Sequence, residues 1–175
     1  MMCCKKYPHS SSDKKLTKAQ KTLIRNVWND VREKIDEVGV ETFLMFFNTH
    51  PEAMDSFLVF KDMQLKDLKT SVKLKEHSLK VTSIVDKCVS RLDDMDAVAT
   101  VAAEQGARHA GRYVIPEFQK CLKESYINAI RTRTTIPWTS ATQHAWSQFF
   151  DIIQSKMDSE MEAERKRKSF LVSFS

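Results

Sequence analysis

Turn-forming residues are scarce in this chain, which holds only three glycines and four prolines among 175 residues. An average chain carries about 7% glycine and about 5% proline. Few turns imply a few long elements, and that favours helices over a many-stranded sheet. The length fits one domain with a modest tail. A domain of this size buries roughly two-thirds of its unfolded surface, so a substantial core is available. Hydrophobic residues at 42% and charged residues at 29% complete the profile of a soluble globular protein.

The same scarcity excludes several kinds of site. A dinucleotide fingerprint needs clustered glycines, and here they are dispersed as Gly39, Gly106 and Gly111. Gly106 to Gly111 has phosphate-loop spacing, but Arg112-Tyr113 follows where Lys and Ser/Thr are required. The net charge of +5 is modest and concentrated at the ends, in Lys5, Lys6, Lys14 and Lys15 and in Arg165-Lys166-Arg167-Lys168. Nucleic-acid binding would need a basic face on the folded body, so no nucleic-acid partner is expected. No apolar run approaches the length of a membrane span, and the N-terminus has no secretory pattern. Cys3, Cys4, Cys88 and Cys121 show neither zinc spacing nor a disulfide framework, and a reducing, cytoplasmic location is the simplest reading.

Residues 1–15 are polar and aperiodic and read as a disordered extension. Thr17-Lys-Ala-Gln20 has the capping-box form and opens an amphipathic helix through Ile24, Val27, Trp28, Val31 and Ile35. A second helix carries Val40, Phe43, Leu44 and Phe47 and stops before Pro51, which starts a short helix ending near Phe57. After a loop, apolar spacing returns from about Leu68 to Leu92; Asp93-Asp94 then caps a helix running from Met95 towards Tyr113. Pro116 opens another, and Ser140-Ala-Thr-Gln143 a last one with Trp146, Phe149, Ile153 and Met161 on one side. The domain is read as 16–163 and all-α, with a basic flexible tail over 164–175.

Two histidines stand out. His77 lies four residues before Val81 on the inward stripe of its helix, and His109 continues the line Val98, Ala102, Gln105. An inward imidazole needs a partner, because an unsatisfied buried polar group costs about 1–3 kcal/mol. Taken singly, each is more often a hydrogen-bonded core residue than a ligand. Two on separate helices also suit a flat apolar group clamped between them, with imidazole nitrogens aimed at its centre. Zinc fits less well, since no Cys or carboxylate stands at an inward i+3 or i+4 position to complete its ligand set.

Five landmarks occur in order: Trp28; Pro51 followed by Phe57; His77-Ser-Leu-Lys80-Val81; Gly106-Ala-Arg-His109 followed by Val114; and Ala145-Trp146. With them the stretch from Leu16 to Met161 resembles the globin family. That resemblance implies seven to eight helices around a haem pocket with haem b as cofactor. It makes His109 the proximal iron ligand and His77 the distal histidine, with Phe57 on the haem face. Phe43 would shape the distal pocket, with Phe60 the following loop aromatic. Val81 would border the ligand site, and Val114 and Phe118 would line the proximal edge. Lys80, Arg108 and Arg112 are either cations that meet the haem propionates or ordinary solvated charges.

Within the family the spacing is most similar to neuroglobins and to membrane-associated globins of invertebrate nerve tissue. In that group the distal histidine often binds iron directly, so a six-coordinate, bis-histidyl iron is expected. Gln105 departs from the leucine usual under the haem, and the segment between Phe57 and His77 has no cysteine for a disulfide switch. Cys88 and Cys121 read as packing residues. Cys3-Cys4 beside Lys5-Lys6 resembles a dual S-acylation site that would hold the protein at the inner face of a membrane, the alternative being two plain thiols in a polar terminus. The leading reading is a haem protein that reversibly binds O2, NO or CO and suits gas or redox sensing or electron transfer. The competing readings are a redox enzyme acting on NO, nitrite or superoxide with a reductase partner, and a haem-free helical scaffold.

Overall fold

The computed structural model describes residues 15–57, 59–60, 63–111 and 116–172. Within them the chain forms helices α1 (Lys18–Val31), α2 (Ile35–Thr49), α3 (Leu65–Leu68), α4 (Val72–Val89), α5 (Met95–His109), α6 (Pro116–Arg133) and α7 (Ser140–Val172). Short 3-10 turns occupy Arg32–Lys34 and Pro51–Ser56. No strand occurs among the described residues, and none of the described helices is long and apolar enough to cross a membrane.

Most boundaries follow from identifiable caps. The Thr17 hydroxyl accepts from the Gln20 amide at 3.2 Å while Gln20 Oε1 accepts from the Thr17 amide at 2.9 Å, closing the expected box at α1. Asp94 caps α5 by accepting from the Ala97 amide at 2.9 Å. Three boundaries differ from the sequence reading. The first apolar run does not reach Ile35 as one helix: α1 ends at Val31, and Ile35 opens α2 after the 3-10 turn. A 3-10 turn advances three residues per turn, close enough to the α period that the apolar phase passes through it undisturbed. The run from Leu68 is likewise split, because the Ser71 hydroxyl accepts from the Leu74 amide at 3.3 Å and starts α4 afresh. At α7 the cap is Thr139 rather than Ser140: Thr139 Oγ1 accepts from the Thr142 amide at 3.1 Å, and Gln143 Oε1 accepts from Trp138 Nε1 instead.

The end of α7 is a fourth difference. Residues expected to form a flexible tail from 164 continue the helix to Val172. Lys166 pairs with Glu162, and both Arg167 and Lys168 pair with Glu164. Such pairs, three or four residues apart, support an exposed helix that has no apolar stripe to reveal it.

Two apolar clusters fill the interior. One gathers Trp28, Trp146, Phe149, Ile130 and Val98; the other gathers Phe43, Phe46, Phe47, Phe60, Leu68 and Leu74. Val81 packs against both. Trp28 stands 5.9 Å from Trp146 between ring centroids, and its Nε1 donates to Asp86 at 2.8 Å, so α1 is tied to α4 by a directed bond as well as by burial.

Gly39 determines how α2 meets α4. A Cβ at this position would lie 2.6 Å from Thr82 Oγ1 and 3.0 Å from the Ser78 Cβ. Thr82 is itself held, since its hydroxyl donates to the Ser78 carbonyl at 2.8 Å. Only a residue without a side chain lets the two helices approach this closely.

Asp30 closes the chain on the opposite side. Its carboxylate accepts from the Thr134 hydroxyl at 2.7 Å, the Thr135 amide at 2.6 Å and the Thr135 hydroxyl at 2.8 Å. These bonds hold its pKa below the ordinary aspartate value, the Thr134 hydroxyl being the largest cause. A depressed carboxylate pKa contributes stability that is complete above the unfolded value, about 3.9, and is lost as pH falls through the lower folded value. Thermal melts of Asp30→Asn and wild type should therefore differ at pH 6 to 7 and draw together as pH falls through the lowered folded-state pKa. A constant difference across that range would contradict the assignment.

Candidate functional site

The aromatic residues expected around His77 come from three different elements and meet there. Phe43 on α2 lies 5.0 Å from the His77 ring at 70°. Phe57, at the end of the Pro51 turn, lies 5.8 Å away at 90°. Phe60 lies 5.6 Å away at 88°. All three are edge-to-face contacts, the favourable arrangement for rings with a negative face and a positive edge. They leave the imidazole half-buried and packed against hydrocarbon. The Gly39 crossing makes this possible, because Phe43 stands one helical turn along α2 from Gly39 and His77 stands beside Ser78 on α4.

Phe118 on α6 joins the same apolar cluster, at 6.1 Å from Phe46 and 6.3 Å from His50. His50 ends α2 and faces Glu52 with its Nδ1 at 3.3 Å, as expected for an imidazole at a turn. His144 is exposed. Phe46 was not singled out from the sequence, since it is one of two adjacent phenylalanines on α2 and the spacing alone favours Phe47.

His109 is the last residue of α5 and is half-buried. Its Nδ1 lies 2.7 Å from the Gln105 carbonyl oxygen. A carbonyl can only accept, so Nδ1 carries the proton and donates it, and the Nε2 lone pair is left as a ligand. This is the arrangement metal-ligating histidines use to fix tautomer and ring orientation. The backbone role of Gln105 was not read from the sequence. Its signal is positional: a histidine in the last turn of a helix can reach the carbonyl four residues back.

α4 and α5, which carry the two histidines, pack together. Among the described residues no group of three or more His, Cys, Asp or Glu could hold a bare metal ion. One imidazole among aromatic rings and a second with its Nδ1 tied to a carbonyl suit instead a metal that arrives within its own ring of ligands. Haem would fit the residues present: His109 has Nε2 available, and Phe43, Phe57, Phe60, Val81 and Phe118 supply apolar surface in the cluster beside His77. Lys80 and Arg108 are exposed and make no ion pair among the described residues. Val114 and Arg112 lie outside the described residues, as do Cys3 and Cys4.

A family model described as Globin matches residues 40–157. The chain belongs to the globin family. Among curated relatives this globin is 27% identical to Cytoglobin-2 of Danio rerio over 134 residues, 75% of each chain. It is 28% identical to Globin-1 of Petromyzon marinus over 123 residues, covering 69% of this chain and 82% of that one. Its fold matches the hemoglobin of the botfly Gasterophilus intestinalis with a TM-score of 0.77 at 22% identity, over 84% of this chain and 99% of that one. It also matches a hexacoordinated heme protein from an anhydrobiotic tardigrade with a TM-score of 0.77 at 19% identity, over 84% of this chain and 96% of that one.

Gly106 makes room for α7. A Cβ there would lie 2.3 Å from the Met157 carbonyl oxygen and 3.1 Å from the Glu160 Cβ, so the space it leaves open is filled by α7. Among the described residues, a Cβ at Gly111 would meet Lys168 Nζ at 3.8 Å, an ordinary contact.

Cys88 and Cys121 are buried, as the packing reading requires. Burial pushes the Cys88 thiol up to about 11, with Arg91 opposing the shift. At pH 8 the folded protein should hold about a hundredfold less Cys88 thiolate than the unfolded chain. Peptide-resolved alkylation should accordingly label Cys88 far more slowly before denaturation than after it. Equal labelling rates would show that the thiol is reachable in the folded state.

Proposed function

We propose that this globin binds haem b through His109 and carries His77 as a second iron ligand in its resting state. The observation that carries the reading is the bond from His109 Nδ1 to the Gln105 carbonyl at 2.7 Å, which restrains the ring and leaves Nε2 available to a metal. Membership of the globin family and the likeness to relatives named as cytoglobins support it. Haem, when bound, supplies an iron that coordinates diatomic gases reversibly.

The residues around that iron have separable roles. His109 holds it from the α5 side. Phe43, Phe57, Phe60 and Val81 would supply apolar surface that excludes water around His77. His77 is held inward by the same three rings, and that enclosure favours its acting as a ligand over a swing to solvent. With His77 as a ligand, gas binding would require its withdrawal, and the observed affinity would be the intrinsic affinity multiplied by the fraction of protein with His77 withdrawn. Gated, weakened binding suits gas or redox sensing or electron transfer better than bulk oxygen storage. Exposed Lys80 and Arg108 are placed on the reading to meet the haem carboxylates. Attachment to a membrane through Cys3 and Cys4, and a cytoplasmic location, remain part of the proposal on the strength of the sequence pattern alone.

Purified protein should show a Soret band, and His109→Ala should lose it or release haem readily; a Soret band of unchanged intensity and stability in that variant would overturn the assignment of His109. In the reduced protein without gas, the visible spectrum should show the sharp split bands of a six-coordinate ferrous haem, and His77→Leu should replace them with a single broad band. A broad band already present in wild type would exclude His77 as a resting ligand.

A further inference from the structure

We infer that the C-terminal turns of α7, and Arg165 in particular, clamp the end of α5 and thereby position His109. The family match ends at residue 157, whereas α7 continues to Val172, so these turns are an addition to the matched core. Their contacts are not random. Met157 and Glu160 lie against Gly106, Arg165 Nε donates to the Ala110 carbonyl at 3.4 Å, and Lys168 Nζ lies beside Gly111. Residues spaced this way share one face of a helix, and that face follows the last turn of α5 from Gly106 to Gly111.

The end of α5 gains a partner in this way. The Ala110 amide donates to the Gly106 and Ala107 carbonyls, and the Ala110 carbonyl stands just past the last residue of α5, where helix carbonyls lose their place in the intrahelical ladder. A guanidinium satisfies it and complements the negative end of the helix dipole. Arg167 bridges Glu160 and Glu164 and keeps α7 helical where Arg165 projects. Ala110 adjoins His109, whose own Nδ1 bond to Gln105 depends on the same turn staying wound. Arg165 is therefore a positioning residue: it touches neither iron nor gas and acts through the α5 backbone.

The inference rests on the haem reading only for one of its two readouts. In the full chain without haem, backbone hydrogen exchange over residues 107–110 should be about three- to tenfold faster in Arg165→Gln than in wild type. Arg165→Lys should restore part of the protection, and Lys166→Gln, on the outer face, should leave it unchanged. In the haem-loaded protein, transfer of haem to an excess of a scavenging acceptor should accelerate in Arg165→Gln by a similar factor, while the urea midpoint stays near wild type. Unaltered exchange in Arg165→Gln, or equal acceleration in Lys166→Gln, overturns the clamp. If the chain takes up no haem, the functional reading fails and the exchange measurement alone decides this one.

Discussion

The contact of α2 with α4 at Gly39 is the constraint on which the histidine-bearing side of the molecule depends. With hydrogen in place of a side chain, the helices close until Ser78 and Thr82 touch the α2 backbone. That distance sets Phe43 against His77, and the Pro51 turn then has only to deliver Phe57 and Phe60 to the remaining sides of the ring. The Ser78 and Thr82 hydroxyls, which would be costly at an apolar crossing, are satisfied by carbonyls of their own helix. Small residues thus do at this crossing what large ones do in the core around Trp28 and Trp146: they fix a relative position.

The two histidines are restrained by different physics. His109 is oriented by a directional hydrogen bond whose acceptor cannot rotate, because it is part of a helix backbone. His77 is packed by three ring contacts, each worth about 0.5–1.5 kcal/mol beyond area burial and none of them tied to one nitrogen. On the proposed reading, that difference suits His109 to be the permanent ligand, since its ring plane is fixed by the helix backbone, and His77 to be the exchangeable one.

What could be read from the sequence was what periodicity and capping encode. The all-α class, Thr17 and Asp94 as caps, the stop at Pro51 and the packing of His77 against Phe43 all follow from local rules or the resemblance, and they are seen in the fold. The 3-10 turn after Val31 was invisible because it nearly preserves the helical phase. The extension of α7 was invisible because an exposed, ion-paired helix carries no apolar stripe. The partner of Gly106 was invisible for a related reason: a glycine's need for space can be seen in a sequence, but which neighbour takes that space is a tertiary fact. Here it is the Met157 carbonyl.

Val81 touches both apolar clusters, so α4 is gripped from two sides along the stretch that carries His77. Interiors packed at crystal-like density do not deform gradually. A displacement of the whole helix would have to disturb the Trp28 cluster and the Phe43 cluster at once, which places it among slow collective motions of microseconds or longer. Rotation of the His77 side chain past the Phe57 and Phe60 edges disturbs only one cluster. On the proposed reading, withdrawal of the imidazole is then a rearrangement within the Phe43 cluster and not a movement of the whole helix.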